Sequence, residues 1–354
     1  MPFHAVPRTV PWAGRRRGVL AVAAALAASL TMAACGSGGS SGAGGSGASA
    51  EPADCPAQPA TAWAKPVAGA GTHRVRTAQG EVTVPNRPRR VVVLDTAELD
   101  SAITLGITPV GATRSDVAGG FPGYLPKDKV AGIEDVGRIG APNLEAVAAL
   151  KPDLILTSKV RDGKRYEQLK AIAPTVMTET TGYPWKQNFA THADALGRIP
   201  QARRTVAAYQ AHAERVTAAL GGAAAAQRTT TNVVRFVEGA DTRIYGCRSY
   251  IGTVLNDAGT GPTSVVEGAP DGLMVEVSAE QMNKADADAL FYTAYGSPEK
   301  SREKQVTGGA LWKNMHAVKS GRAFRVDDEL WIQGIGYTAA DKVLGELEGK
   351  LGKP

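Results

Sequence analysis

From Val91 onward, short β-branched runs alternate with longer helical stretches, and this alternation restricts the chain more than any other feature. Val91-Val92-Val93-Leu94 follows the turn-forming Pro85-Asn86-Arg87-Pro88 and reads as a buried strand, with Glu98 to Leu105 as the helix behind it. Thr108 to Ala112 is the next strand, Leu144 to Leu150 a helix, Asp153 to Thr157 a strand, Arg165 to Ile172 a helix, and Thr175 to Met177 an extended run. Strands that alternate with helices build βαβ units and therefore a parallel sheet. Asn188 to Ala226 is helical throughout apart from Gly197-Arg198-Ile199-Pro200, where Pro200 suits the first turn of a helix over Gln201 to Leu220. A second α/β series follows, with strands at Thr231 to Val237, Ala289 to Tyr292 and Ala323 to Val326 and helices at Ile251 to Ala258 and Tyr337 to Leu351. The expected fold is α/β: two Rossmann-like lobes joined by one long rigid helix, with a ligand cleft between them. No internal repeat at solenoid spacing is present.

The first residues set the compartment. Residues 1–18 carry Arg8, Arg15, Arg16 and Arg17 and no acid, and a small, apolar run from Val19 to Ala34 stops at Cys35. This is the pattern of a signal peptide, and the run is shorter than the ~20 residues needed to span a bilayer. Met32-Ala33-Ala34-Cys35 resembles a bacterial lipobox with Met in place of the more usual Leu, which makes Cys35 the lipidated first residue of the mature chain; cleavage after Ala34 with plain secretion is the alternative. Arg16-Arg17-Gly18-Val19-Leu20 looks like a twin-arginine export signal, although an ordinary basic leader looks similar. Gly36 to Ala50 is almost entirely Gly, Ser and Ala, the composition of a flexible coil, and Pro and Ala remain frequent to about Gly71. The expected organisation is therefore a signal peptide (1–34), a lipidated cysteine with a flexible tether (35–71), an N-terminal lobe (72–187), a helical linker (188–226) and a C-terminal lobe (227–354).

Removing the leader takes away four of the 40 basic residues and none of the 34 acidic ones, lowering the formal charge from +6 to +2. No basic stripe interleaved with aromatics remains, so nucleic acid is excluded as a partner. Once Cys35 carries lipid, Cys55 and Cys247 remain in an oxidising compartment, where they can form a disulfide or stay as two thiols depending on the fold.

No catalytic constellation is present. The five histidines, His4, His73, His192, His212 and His316, are scattered, and the HExxH, CxxC, GxSxG, P-loop and GxGxxG spacings are missing. Open α/β sheets instead place ligand crevices just past their strands, and aromatics and cations gather at those points. Arg114, Lys159, Arg161, Tyr183 and Trp185 follow strands of the first lobe; Arg235, Tyr245, Arg248, Tyr250, Tyr292, Tyr295 and Trp331 lie in or after those of the second. Together they describe flat apolar walls and cationic donors suited to a large, oxygen-rich or conjugated ligand.

Four segments carry a family resemblance. Arg89-Arg90-Val91-Val92-Val93-Leu94-Asp95, the stretch from Asn143 to Ile155, Val277 to Gln281 with Ala285 to Asp288, and Trp312 with Gly321-Arg322 are similar to the substrate-binding proteins of ABC importers for iron–siderophore complexes, haem and vitamin B12. The resemblance spans about residues 74–351. It implies a monomer on the outer face of the cytoplasmic membrane that meets a permease and its ATPase, has no intrinsic cofactor, and touches iron only through a siderophore. It further implies that one glutamate per lobe, Glu145 and Glu280, docks onto permease arginines. A hydroxamate siderophore is favoured, because Trp185, Tyr245, Tyr250 and Trp331 outnumber Arg114 and Arg248, the two arginines expected at the ligand; cobalamin and haem stay open, as do the rival classes of exported enzyme and adhesion or signalling lipoprotein.

Overall fold

The computed structural model describes residues 50–115 and 120–352. The expected signal peptide, Cys35 and the Gly/Ser tether up to residue 49 lie outside the described residues. An antiparallel hairpin, β1 (Thr72–Thr77) and β2 (Gly80–Pro85), leads into the first sheet. That sheet holds β3 (Val91–Val93), β4 (Gly111–Arg114), β5 (Glu134–Arg138), β6 (Ala141–Pro142), β7 (Leu154–Ser158) and β8 (Thr175–Thr178) in the order β6-β5-β4-β3-β7-β8. All its pairs are parallel except β5 with the short edge strand β6. β3, β7 and β8 are buried along their whole length, which is why they read as unbroken apolar runs.

The helices Trp185–Ala195 and Ile199–Ala219 follow, the second with Pro200 in its first turn; at 21 residues it is about 31 Å long. The second sheet contains β9 (Thr231–Val237), β10 (Thr242–Tyr245), β11 (Met274–Val277), β12 (Ala289–Tyr295) and β13 (Ala323–Arg325) in the order β11-β10-β9-β12-β13. Only β9, β12 and β13 are parallel; β10 and β11 run antiparallel to their neighbours. The three strands expected from the sequence are the parallel ones, and the structure adds β10 and β11: Glu238-Gly239-Ala240-Asp241 is a tight turn, with Gly239 at φ +76°, that folds β10 back on β9. β10 and β11 are four residues each, too short to leave a clear pattern in the sequence.

The main core is continuous across both sheets. It joins Val91, Val93 and Leu99 to Val233, Val254 and Phe291 through Val216 of the linker helix and Val343 and Leu344 of the closing helix, Tyr337–Leu351. The closing helix packs on the linker helix, on the Thr96–Thr104 helix of the first lobe and on the Tyr250–Asp257 helix of the second. Val92 and Leu94, offset by one position from Val91 and Val93, face a separate core on the other side of their sheet, as a period of two requires. No helix among the described residues is long and apolar enough to cross a membrane.

Residues 50–71, placed in the tether by their composition, lie against this body. Pro52 bridges to Thr263, Cys55 is bonded to Cys247 with Cα atoms 5.4 Å apart, and Trp63 packs against the main core. The pairing that the sequence left open is therefore a disulfide.

Candidate functional site

The carboxyl ends of the parallel strands carry two charged arrays, one on each lobe. Asp95 stands two residues past the end of β3 and caps the Thr96–Thr104 helix, accepting from the Thr96 amide at 2.6 Å. Its carboxylate is only 1% exposed and accepts from Arg161 Nε at 2.7 Å, while the Arg161 side chain is 41% exposed. Burial, reinforced by the charge of Glu98, pushes the Asp95 carboxyl up, and Arg161 opposes this. Burial likewise works against the Arg161 charge, but Asp95 outweighs it and raises the guanidinium pKa. The pair is thus a buried carboxylate that holds a partly exposed cation at the strand end. Beside it, Lys159 pairs with Glu179 at 2.8 Å and Val160 presents an apolar surface.

On the second lobe, Arg235 of β9 donates from Nε to Asp328 at 2.7 Å and from a terminal nitrogen to the same carboxylate, a two-pronged grip. Asp328 also accepts from Gln333 at 2.7 Å and from Thr293 at 3.3 Å. The Arg235 guanidinium lies 4.5 Å from the centre of the Tyr295 ring, within cation–π range. Burial disfavours the Arg235 charge, and its bonds to Asp328 more than restore it. A cavity of about 210 Å³ opens beside this array, lined by Thr293, Tyr295, Arg325, Asp327, Asp328 and Gln333. Arg325, the last residue of β13, is half exposed and is held at 2.7 Å by the buried Glu303.

The two arrays are joined. Thr96 donates from Oγ1 to the Gln333 carbonyl at 2.8 Å, so hydrogen bonds run from Arg161 through Asp95 and Thr96 to Gln333, Asp328 and Arg235. The segment around Gln333 is therefore the floor on which the two strand ends meet.

The expected site residues divide on this floor. Arg235, Tyr245 and Tyr295 come together on the second lobe, with Tyr245 buried beside Arg235 and its hydroxyl pKa raised by that burial. On the first lobe Lys159 and Arg161 both lie on the helical turn after β7, paired with Glu179 and Asp95 respectively, and Arg114 ends β4, exposed and ion-paired with Asp135. Tyr183 is half-buried just before the Trp185–Ala195 helix. Arg248 is exposed; its amide bonds to the Gly272 carbonyl, and its side-chain stem lies within 3.0–3.2 Å of where a Cβ on Gly272 would sit. Gly272 has φ +73° as well, so this close approach requires glycine twice over.

Four aromatic expectations, Trp331, Trp185, Tyr250 and Tyr292, are corrected. Trp331 has no exposed surface: it stacks on Phe291 at 4.4 Å and its indole N–H donates to Glu346. Trp185 is buried, donates to Thr253 Oγ1 at 2.7 Å and packs edge-on against Tyr250, whose hydroxyl donates to the Gly336 carbonyl. A side chain enclosed on every face, with its one polar atom already bonded, has nothing left to offer a ligand. Tyr292 packs against Trp312 and Phe236 on the outer side of its sheet. Asp95, Asp328, Gln333 and Arg325 were not among the expected site residues, although Asp95 and the Asp327-Asp328 pair stand two to three residues past strand ends and so carried a positional signal.

Comparison with known proteins decides what this frame is. Residues 91–330 match the periplasmic binding protein family. The chain belongs to that family. It is a binding protein and not an enzyme. It is 37% identical over 292 residues to the probable siderophore-binding lipoprotein YfiY of Bacillus subtilis, covering 80% of this chain and 88% of that protein. The Fe(3+)-citrate-binding protein YfmC of the same organism is 32% identical over 283 residues, 77% and 85% of the two chains. Staphylococcus aureus SirA complexed with staphyloferrin B superposes with a TM-score of 0.70 at 31% identity, covering 79% of this chain and 98% of that one. The two-lobed architecture is thus that of the family.

Within this binding protein the two glutamates singled out by resemblance occupy equivalent places. Glu145 lies in the first turn of the Leu144–Ala149 helix, which follows edge strand β6 and is capped by Asn143. Glu280 lies in the first turn of the Ala279–Ala285 segment, which follows edge strand β11. Both are exposed, and a backbone N–H together with Ser278 holds the Glu280 carboxyl below its ordinary range.

Proposed function

We propose that this chain is the extracytoplasmic substrate-binding lipoprotein of an ABC importer, anchored by lipid on Cys35, that captures an anionic, carboxylate-bearing ferric siderophore and presents it to the permease through Glu145 and Glu280. One observation carries the ligand class: the cleft ends of both sheets present guanidiniums, Arg161 and Arg325, each held by a buried carboxylate, whereas the aromatics that favoured a hydroxamate are packed into the core. A guanidinium braced from behind meets a ligand carboxylate with little further loss of side-chain freedom. A relative named for Fe(3+)-citrate supports the same choice.

The test is quenching of intrinsic fluorescence by ferric citrate and by a neutral ferric trihydroxamate. Ferric citrate should bind more tightly, and Arg161→Ala should weaken that binding by about 1.5–3 kcal/mol, roughly 10- to 150-fold. Equal affinity for both complexes, or normal ferric citrate binding by the variant, rejects the ligand class. The anchor is tested separately: Cys35→Ser should move the protein from the membrane to the soluble fraction, and unchanged membrane association rejects lipidation at that sulfur.

A further inference from the structure

We propose that residues 51–71 form a clasp across the helices that join the lobes, fixed covalently to the second lobe and by hydrogen bonds and packing to the first, so that the linker helix is not the sole connection limiting how far the lobes part. At the second-lobe end, the Ala53 amide donates to the Pro262 carbonyl at 2.9 Å, the Ser264 amide to the Glu51 carbonyl at 2.8 Å, and the Cys55–Cys247 disulfide closes the attachment. In the middle, Gln58 donates to the Thr253 carbonyl and to Asp257 on the Tyr250–Asp257 helix, while Gln187 on the Trp185–Ala195 helix donates to the Pro59 carbonyl. Trp63 then packs on the core under the Arg203 guanidinium of the linker helix, 5.8 Å from its ring centre. At the first-lobe end, Asn86 donates from its side chain to the carbonyls of Ala68 and Ala70, and its amide donates to Gly71.

These attachments lie in sequence order along one segment and fall successively on the second lobe, the joining helices and the first lobe. A chain tied at both ends carries tension when the lobes separate, and a segment held only by its own local contacts does not. The covalent end is what makes the device effective, because the middle and far ends rest on three hydrogen bonds each and one indole, none of them covalent.

Hydrogen exchange on the full-length protein tests this without any ligand, so its outcome is independent of the ferric siderophore reading. Intact protein is compared with protein whose Cys55–Cys247 bond has been opened to two thiols by dithiothreitol after folding, and with the Cys55→Ser/Cys247→Ser variant. Opening the bond should speed exchange at least tenfold in residues 51–60 and also in the Tyr250–Asp257 and Trp185–Ala195 helices. Trp63→Ala, with the disulfide intact, should speed exchange in the same two helices. Acceleration confined to residues 51–60 in the reduced protein, or helices unmoved by Trp63→Ala, would show two separate local attachments and overturn the clasp.

Discussion

The side of the molecule where the helices meet and the side where the strands end are built from opposite materials. Between the helices, Trp185, Phe189, Tyr209 and Tyr250 surround Tyr337 and one another with ring centres 4.7–6.3 Å apart. Their polar atoms are used internally, Tyr209 donating to Asp257 at 2.7 Å and Trp185 to Thr253. At the strand ends the contacts are guanidinium to carboxylate, with cations such as Arg161 and Arg325 left partly exposed. Aromatic area holds the lobes together on one side, and oriented charge faces the opening on the other. An aromatic placed shortly after a strand is therefore no guide to which side it serves. Trp185 and Tyr250 each begin a helix, and the helix turns them inward.

The largest expected effect breaks the aromatic side. Trp185→Ala removes a buried indole that touches three other rings and leaves Thr253 without its donor, so it should cost about 3–5 kcal/mol of stability. Urea unfolding followed by circular dichroism measures this loss, and ligand affinity of the folded protein should stay within about threefold of the wild type, less than 1 kcal/mol. A variant of normal stability that no longer binds ferric citrate would return Trp185 to the cleft and undo the comparison.

A smaller effect is expected where a carboxylate crosses to the aromatic side. Asp100, on the first-lobe helix, accepts from the amides of Thr338 and Ala339, both at 3.1 Å, and so caps the closing helix from another part of the chain. Gly336 is needed there because a Cβ would lie 2.1 Å from the Asp100 Oδ1. Burial raises the Asp100 pKa in spite of these bonds. A carboxyl whose folded pKa is raised contributes stability that is fully present below its unfolded value, near 3.9, and lost as pH rises through the folded value. Asp100→Asn does not titrate, so it should cost about 1 kcal/mol in mild acid and less at pH 8. The measurement is the gap in urea midpoint between variant and wild type across that range. A gap that widens with pH would mean that attraction between the ionised carboxylate and the helix end outweighs burial.

Much of the frame was legible because it depends on local pattern. The fully buried strands β3, β7 and β8 announce themselves as apolar runs, and Pro200 marks the start of the linker helix. What stayed hidden depends on partners distant in sequence. Asp95 meets Arg161 across 66 positions and Asp100 meets Ala339 across 239, and neither spacing leaves a periodic trace. Cys55 and Cys247 were visible as residues but their bond was not, because pairing is decided by where the fold brings residues 50–71. The direction of Trp331 was equally unreadable: a tryptophan near a strand end looks the same in sequence whether it faces the opening or, as here, lies flat on Phe291.

The smallest effect on binding should come from the two rim glutamates, and for that reason it best separates holding a ligand from delivering it. Glu145 and Glu280 are exposed, each follows the edge strand of its own sheet, and neither belongs to the hydrogen-bonded chain from Arg161 to Arg235. Each sits in a first helical turn, where a carboxylate gains only about 0.3–1 kcal/mol from the helix end, so replacing both with Ala should leave the fold intact. Affinity for ferric citrate should change by less than about 0.5 kcal/mol, roughly twofold, because no ligand contact is removed. Uptake of radioactive iron by cells carrying the double variant should nevertheless stop if, as proposed, two negative charges on opposite lobes orient the loaded protein on a basic permease surface. Separate single variants sharpen the result: with one charge left, docking loses its orientation about the long axis, and uptake should fall part of the way. If the double variant binds ferric citrate tenfold more weakly, the glutamates belong to the cleft rather than the rim; if it binds and imports normally, the permease recognises some other surface.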